Sequence, residues 1–464
     1  MHRSVAALAA VGLLAIGLLA AACSSSSPAT APAQSASAHP TATATPSATA
    51  TRPAAIADWP TYHGSPSRAG AASAPLLAGT LRVAATASLD AAAYAQPLVA
   101  SGLVIVATEN NTVYAFRAAA HTLVWRKHLA APARRADLPC GNIDPSGITG
   151  TPAYDAASGS VFVVTEGADV HHTLVALDVR TGAVKWRRNL DVLANRDRHA
   201  EQERGALLVA NGRVYVPFGG RLGDCGNYVG YVVAVAISGA GAVSTYAVPT
   251  AREAGMWAPP GPVIGPGGDI YVASGNGAEV GGTYDGSDSV IRLSADLRRV
   301  AVFAPSTWPQ DNADDLDLGS MSPAVVGDRL VIAGKRGDVF LLSASLGGVG
   351  GQVAKASGCA AYGGAAVAGN VVLLPCDDGL RALRVTGSSL HWVWHHGSVA
   401  GSPLVCGSVV YGFDGGSLVQ LRLSDGHLLR RVHVGDVTRF TTPVPVGDEV
   451  AVATTSRLVF VRGS

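Results

Sequence analysis

The chain has 464 residues, of which only 14% are charged and 55 are Gly, and its net charge is +1. That balance supplies no field to draw in nucleic acid or an anionic membrane. The length suits one large β-domain or two smaller ones, and Gly with abundant Val and Ala suits short strands joined by tight turns.

In chain order the first feature is a targeting segment. His2 and Arg3 give a slightly positive start, residues 5–22 are apolar, and Cys23 follows at once, then Ser24 to Ser27. The run Ala20-Ala21-Ala22-Cys23 resembles a bacterial lipobox, with Ala20 where Leu is usual and Leu19 one place early. The resemblance implies a signal peptide over 1–22 and an acylated Cys23 as the mature N-terminus. An ordinary signal peptide and an uncleaved anchor are the alternatives, although about 18 apolar residues are near the minimum for spanning a bilayer. Residues 23–57 are Ser, Ala, Thr and Pro with almost no large apolar side chain. Such a composition cannot bury a core, so it reads as a disordered tether between lipid and folded domain, at the outer face of the cytoplasmic membrane or in the cell envelope.

The cysteines agree with export. With Cys23 set aside, Cys359 and Cys376 flank one strand-turn-strand stretch, and Cys140 and Cys225 lie in the loops LPCGN and GDCGN. Two bridges, Cys359–Cys376 and Cys140–Cys225, are expected in an oxidising compartment. Cys406, inside LVCGSVV, is left as a buried thiol. No Cys-x-x-Cys-His occurs, so covalent c-type haem has no support.

From residue 58 to 464 one unit repeats. After the aromatic, turn-rich opening DWPTYHGSPSRAG come eight Gly- or Asp-led strands. They are GLVIVATE from Gly102, GSVFVVTE from Gly159, GRVYVPFG from Gly212, GDIYVASG from Gly268, DRLVIAGK from Asp328, GNVVLLPC from Gly369, GSVVYGFD from Gly407 and DEVAVATT from Asp448. Each has a partner strand, from VYAF at Val113 to LVFV at Leu458. A strand often opened by Pro precedes each pair, and a fourth strand that can carry Trp follows, as at Trp125, Trp186 and Trp392. Four-stranded units with no helical period between them predict an all-β fold, an eight-bladed β-propeller, with seven blades as the alternative. The spacing of third-strand ends falls from 61 residues (116 to 177) to 40 (421 to 461), so the early blades carry the longer loops. The last unit lacks a fourth strand, and the strand-like segment TLRVAATASL near residues 80–89 has no unit of its own. Joining the two would close the ring and remove an open edge.

The segment LVALDVRTGAVKW over 174–186 resembles the repeat of pyrroloquinoline-quinone (PQQ) propellers: an apolar pair, Ala-Leu-Asp, Thr-Gly and a Trp. VYAFRAAAHTLVW and LVQLRLSDGHLL are weaker copies. Some members of that family are quinoprotein dehydrogenases, and others are outer-membrane assembly lipoproteins without cofactor. The dehydrogenases hold PQQ over a Trp, with Ca²⁺ on carboxylate and amide oxygens, an Asp as base and a Lys or Arg at the quinone. The matching positions implied here are Trp257 in MWAPPGPVI and Lys335 in IAGKRGDVFLL for the cofactor. Asn276 in ASGNGAEV matches the metal ligand. Asp317 (or Asp315) in DDLDLGSMSP matches the base and would also face the metal. Two features depart from the family pattern. The adjacent Cys-Cys pair of many such enzymes is missing, and the metal-binding Glu has only Glu203 in QERGALLV as a match.

The remaining motifs read as scaffold. Asp311 to Asp317 is acidic enough for calcium but lacks the Gly and terminal Glu of a calcium loop, so it reads as a solvated loop, with a cation site as the alternative. His171-His172 and His395-His396 lie beside strands, where neighbours point to opposite faces. No Gly-rich loop opens a helix, and no nucleophile elbow is present. The expectation is therefore a lipid-anchored, monomeric β-propeller outside the cytoplasm. It needs no cofactor and binds a protein or cell-envelope ligand through its early loops. The competing expectation is a PQQ- and Ca²⁺-dependent dehydrogenase of an alcohol or sugar.

Overall fold

Runs of Val, Leu and Ile cut by Gly and Asp turns favour short antiparallel strands over helices. The computed structural model describes residues 56–73 and 77–464. The signal segment, Cys23 and all but the end of the tether lie outside that range. The described chain forms eight sheets, each built on four antiparallel strands, arranged as an eight-bladed β-propeller. The first seven blades span 98–128, 153–189, 208–247, 263–304, 324–357, 366–396 and 400–433. Each Gly- or Asp-led run is the second strand of its blade. Three blades carry an extra two-residue strand: Glu201–Gln202 on the third, Gly348–Val349 on the fourth and Ala71–Ala72 on the seventh.

The eighth blade closes the ring. Its three C-terminal strands, Val444–Val446, Glu449–Ala453 and Arg457–Gly463, take Leu81–Ser88 as the fourth. The register runs from Leu81 opposite Gly463 to Ser88 opposite Arg457, with one bulge. The core is not a single mass. It is a series of apolar layers between neighbouring blades, such as Val161, Val163, Val175 and Leu177 of the second blade against Ile105 and Ala115 of the first.

Tryptophans tie one blade to the next at three junctions. Trp125 of the first blade donates its Nε1–H to the Val179 carbonyl of the second, at 3.0 Å. Its ring lies flat on Gly182, where a Cβ would fall 2.6 Å from the ring. Trp186 repeats this on Ile237 and Gly239, and Trp394 on Leu423 and Gly426. That contact is the physical reason for the Thr-Gly…Trp pattern in the repeat: the Gly leaves room for the Trp of the preceding blade.

The aromatic opening segment is buried rather than peripheral. Tyr62, His63 and Arg68 are each at most 3% exposed. The segment touches inner strands around the ring: Trp59 bridges Val99, the Pro60 carbonyl accepts from Tyr154, and the Pro66 carbonyl accepts from Ile264. The Ala69 carbonyl accepts from Val367, and Ala71–Ala72 pairs with Val405 and Cys406. Residues 59–72 therefore plug the axis. Desolvation pushes His63 down to about 3, so its ring stays neutral while it bonds the Ala365 carbonyl and Thr442. Asp58 caps the turn at Ser101, between the first two strands of the first blade. The chain thus enters the ring on the face that carries first-to-second-strand turns.

Both expected disulfides are present, Cys140–Cys225 and Cys359–Cys376, and Cys406 is a free, buried thiol. The acidic run is solvated only in part, at Asp314 and Asp315. Asp311 and Asn312 lie in a short helix, Trp308–Ala313, and Asp311, Asn312 and Asp317 are all buried. His171 and His172 also differ from expectation. The strand starts at His172, so alternation does not apply to His171, and both rings reach Asp191, at 2.5 and 3.1 Å.

Candidate functional site

Second-to-third-strand loops and blade-to-blade connections emerge on the ring face opposite the turn capped by Asp58. On that face they converge over the axis and enclose a cleft of about 600 Å³. Trp257, Asn276, Asp317 and Lys335, which are dispersed over nearly 80 residues of sequence, all line it. Trp257 comes from the connection between the third and fourth blades. Asn276 follows the strand Ile270–Ser274, Asp317 follows the short helix, and Lys335 follows Arg329–Ala333.

Asp317 is the hub of this group. Its Oδ1 accepts the Asn276 backbone N–H at 2.7 Å, and its Oδ2 pairs with Lys335 Nζ at 2.6 Å. Gly275 has no room for a side chain, because a Cβ there would collide with the same carboxylate. Lys335 also donates to Asp315, at 2.6 Å, and sits 5.8 Å from the centre of the Trp257 ring. Burial works against the Lys335 charge, but Asp317 and Asp315 more than offset it and hold the ammonium above the ordinary lysine range.

The other cations of the cleft differ in their pairing. Arg221 is buried, paired with Glu166, and donates to the His199 carbonyl at 2.7 Å. Arg204 lies 4.1 Å over the Phe440 ring centre and 5.9 Å from that of Trp257. Burial pulls it down to about 10, so it still carries its charge at neutral pH. Its Nη1 is buried with no hydrogen-bond partner among the described residues. Arg439 lies 4.3 Å over the Tyr362 ring. Among the described residues neither Arg204 nor Arg439 has a carboxylate within 4.0 Å.

Glu203 stands apart. It does not line the cleft but is buried against Gly150, and its Oε1 has no partner. Glu109, which shares this interior region, accepts from the Gly147 N–H and Thr149 Oγ1. The disulfide Cys140–Cys225 joins two loops of the cleft rim, which contribute Asn142, Leu222 and Asp224 to the lining.

These residues fit one half of a PQQ–Ca²⁺ pair. A planar, acidic ring system suits Trp257, Phe440 and Tyr362 with Arg204, Arg439 and Lys335. The metal half does not fit. Ca²⁺ takes six to eight oxygen ligands. Here Asp317 and Asp315 are engaged by Lys335, Asp224 accepts from the Tyr228 hydroxyl, and Glu203 is elsewhere. Among the described residues no three His, Cys, Asp or Glu side chains are grouped to hold a metal.

Sequence reasoning had not picked out Arg204, Arg439, Phe440 or Tyr362. Their only signal is position: each lies in a blade-to-blade connection, and those connections meet at the axis.

Comparison with known proteins agrees with this fold. Residues 78–296 match the family profile described as outer membrane protein assembly factor BamB. No curated protein sequence matches the chain. Among solved structures, the quinohemoprotein alcohol dehydrogenase ADHIIG of Pseudomonas putida HK5 is similar with a TM-score of 0.70 at 14% identity, over 87% of this chain and 80% of that one. The quinohemoprotein alcohol dehydrogenase of Comamonas testosteroni gives 0.67 at 17%, over 88% and 81%. BamB of Moraxella catarrhalis gives 0.57 at 16%, over 83% and 98%. At these identities the structural matches speak for fold alone. With the profile match over 78–296, they show a β-propeller whose repeats are similar to those of the PQQ-like family.

Proposed function

We propose that the chain is an exported, tethered binding propeller, whose axial cleft captures a small ligand at the cell envelope. The observation that carries this reading is the state of Asp317. Both of its oxygens are engaged, one by Lys335 and one by the Asn276 N–H, which leaves it poorly placed to hold a metal or take a proton. The disulfides suit an oxidising compartment outside the cytoplasm. No described helix is long and apolar enough to cross a membrane. In this reading the anchor is acylation at Cys23, which the lipobox resemblance implies. The cleft lies on the ring face opposite the turn capped by Asp58. A protein partner, as the BamB likeness suggests, would dock on the same loop-rich face.

A second reading, a PQQ- and Ca²⁺-dependent dehydrogenase of an alcohol or sugar, is favoured by the convergence of Trp257, Asn276, Asp317 and Lys335. The test is dye-linked oxidation. Purified protein is incubated with PQQ and Ca²⁺, then given a panel of primary alcohols and aldoses. We expect no dye reduction above the protein-free control. A PQQ-dependent rate that Asp317→Asn abolishes would overturn the binding reading.

A further inference from the structure

We propose that a groove on the ring face opposite the cleft docks an acidic, apolar peptide segment of a partner protein. The groove, of about 530 Å³, lies across the sixth and seventh blades. It forms where the seventh blade turns from its first to its second strand, at Ser408, and from its third to its fourth, at Leu423 and Ser424. That is the face of the turn capped by Asp58, and the groove shares no residue with the cleft. Its lining is apolar, with Val371 and Val393 of the sixth blade and Val409, Leu423 and Leu429 of the seventh. Every charged residue in that lining is an arginine: Arg384, Arg422 and Arg430.

The repeat shows what is missing beside these arginines. Arg384 and Arg422 sit near the ends of their third strands, each opposite the first residue of the second strand, Val371 and Val409. The eighth blade has Arg462 at the same place, opposite Glu449, and there the side chains pair at 2.7 Å. In the sixth and seventh blades valine stands where that acid would be. Among the described residues neither Arg384 nor Arg430 has a carboxylate within 4.0 Å, and Arg430 Nη1 donates instead to the neutral Gln420, at 3.1 Å. Arg422 does reach Asp425, but both side chains are about half exposed, and such a pair is easily exchanged for another carboxylate. An apolar recess edged by unneutralised guanidinium groups is complementary to carboxylates carried on an apolar body. The chain's own residues 24–55 contain no Asp, no Glu and no large apolar side chain, so they match neither property. A bilayer takes up apolar side chains that project, whereas these line a recess. An extended peptide can lay alternate side chains into the recess and leave its carboxylates at the arginines.

The test uses the propeller of residues 56–464 and calorimetric titration at low ionic strength. The probes are the capped pentapeptide Glu-Leu-Glu-Leu-Glu, its counterpart with Gln for Glu, and phosphatidylcholine vesicles carrying phosphatidylglycerol. We expect the Glu peptide to bind, the Gln peptide to bind at least about 10-fold more weakly, and the vesicles not to sediment the protein. Loss of a charge-assisted hydrogen bond corresponds to roughly 10- to 100-fold in affinity. Val371→Glu should give Arg384 the internal partner that Glu449 gives Arg462, and so weaken the Glu peptide by at least about 10-fold. Arg384→Gln and Arg430→Gln should do the same. Arg384 is exposed, so its variant keeps the test open if Val371→Glu fails to fold. Equal binding of the two peptides, unchanged affinity in all three variants, or no binding at about 1 mM Glu peptide would each overturn the proposal. Vesicle binding without peptide binding would overturn it in favour of a membrane, and self-association that Val371→Glu abolishes would overturn it in favour of a second copy of the chain.

Discussion

The unusual groups of this protein are buried acids near the axis. Glu109 and Glu203 are 1% and 4% exposed, and each keeps one oxygen without a partner. Burial pushes the Glu109 carboxyl up to about 8, against the pull of the Gly147 N–H and the Thr149 hydroxyl, and Glu166 adds to the rise while Arg204 opposes it. Burial likewise raises Glu203 well above the carboxylate range, with Glu109 adding to it. An unfolded Glu loses its proton near pH 4.3. Between that pH and about 8, the folded chain holds a proton at Glu109 that the unfolded chain has released. The stabilisation is complete below the lower limit and is lost as pH rises through the window, at up to roughly 1.4 kcal/mol per pH unit for each group. Urea unfolding from pH 5 to 8 should show wild-type stability falling, and Glu109→Gln should flatten that slope by up to one proton. An unchanged slope in the variant would mean that Glu109 is ionised in the fold. At this scale the sequence was half legible. Trp257, Asn276, Asp317 and Lys335 could be found because each sits in a short motif that survives in one stretch of chain. Arg204 and Arg439 are separated by 235 positions (439 − 204) and gain meaning only when the connections meet.

The unit of construction is the contact between one blade's Trp and the next blade's turn. Gly182 has φ +69°, a conformation that costs an L-residue about 1 kcal/mol, and its missing Cβ is where the Trp125 ring lies. The two effects can be separated, because Gly102 has φ +77° with nothing within 4 Å of an added Cβ. Gly102→Ala should cost about 1 kcal/mol, the backbone term alone. Gly182→Ala should cost roughly 2–4 kcal/mol, because overpacking displaces Trp125 and strains its hydrogen bond to Val179. Denaturant midpoints of the two variants, compared at equal m, give the difference. Equal losses would show that the ring yields freely and that the interblade contact contributes little. The repeat was legible for the same reason that the contact exists: the Trp and the Gly must recur together. The helix Trp308–Ala313 was not, because a six-residue helix shows no period, and its Asp and Asn side chains are buried by tertiary contacts such as Asn312 Oδ1 with the Gly277 N–H.

At the scale of the whole molecule, the opening segment does two things that the strand pattern announced only in part. Residues 59–72 plug the axis, which a turn-rich aromatic sequence does not reveal, because its partners are single carbonyls and N–H groups on inner strands all round the ring. The following strand, Leu81–Ser88, closes the eighth blade, and this was legible because a missing fourth strand at one end matched a spare one at the other. Closure matters because an unpaired strand is a template for association with other chains. A deletion through Leu89 would remove the plug as well, so it cannot isolate closure. The double substitution Thr86→Pro with Ala87→Pro can. Successive N–H groups of a strand point to opposite sides, so one proline removes a ladder hydrogen bond to Arg457–Gly463 while the plug stays intact. Relative to a parent lacking residues 1–55, the double variant should melt several degrees lower and form aggregates on heating, seen by scanning calorimetry and light scattering. The parent itself should melt as the full chain does. If the double variant melts with the parent and stays monodisperse, the ring is held shut by the plug and the interblade layers, and the strand Leu81–Ser88 is dispensable.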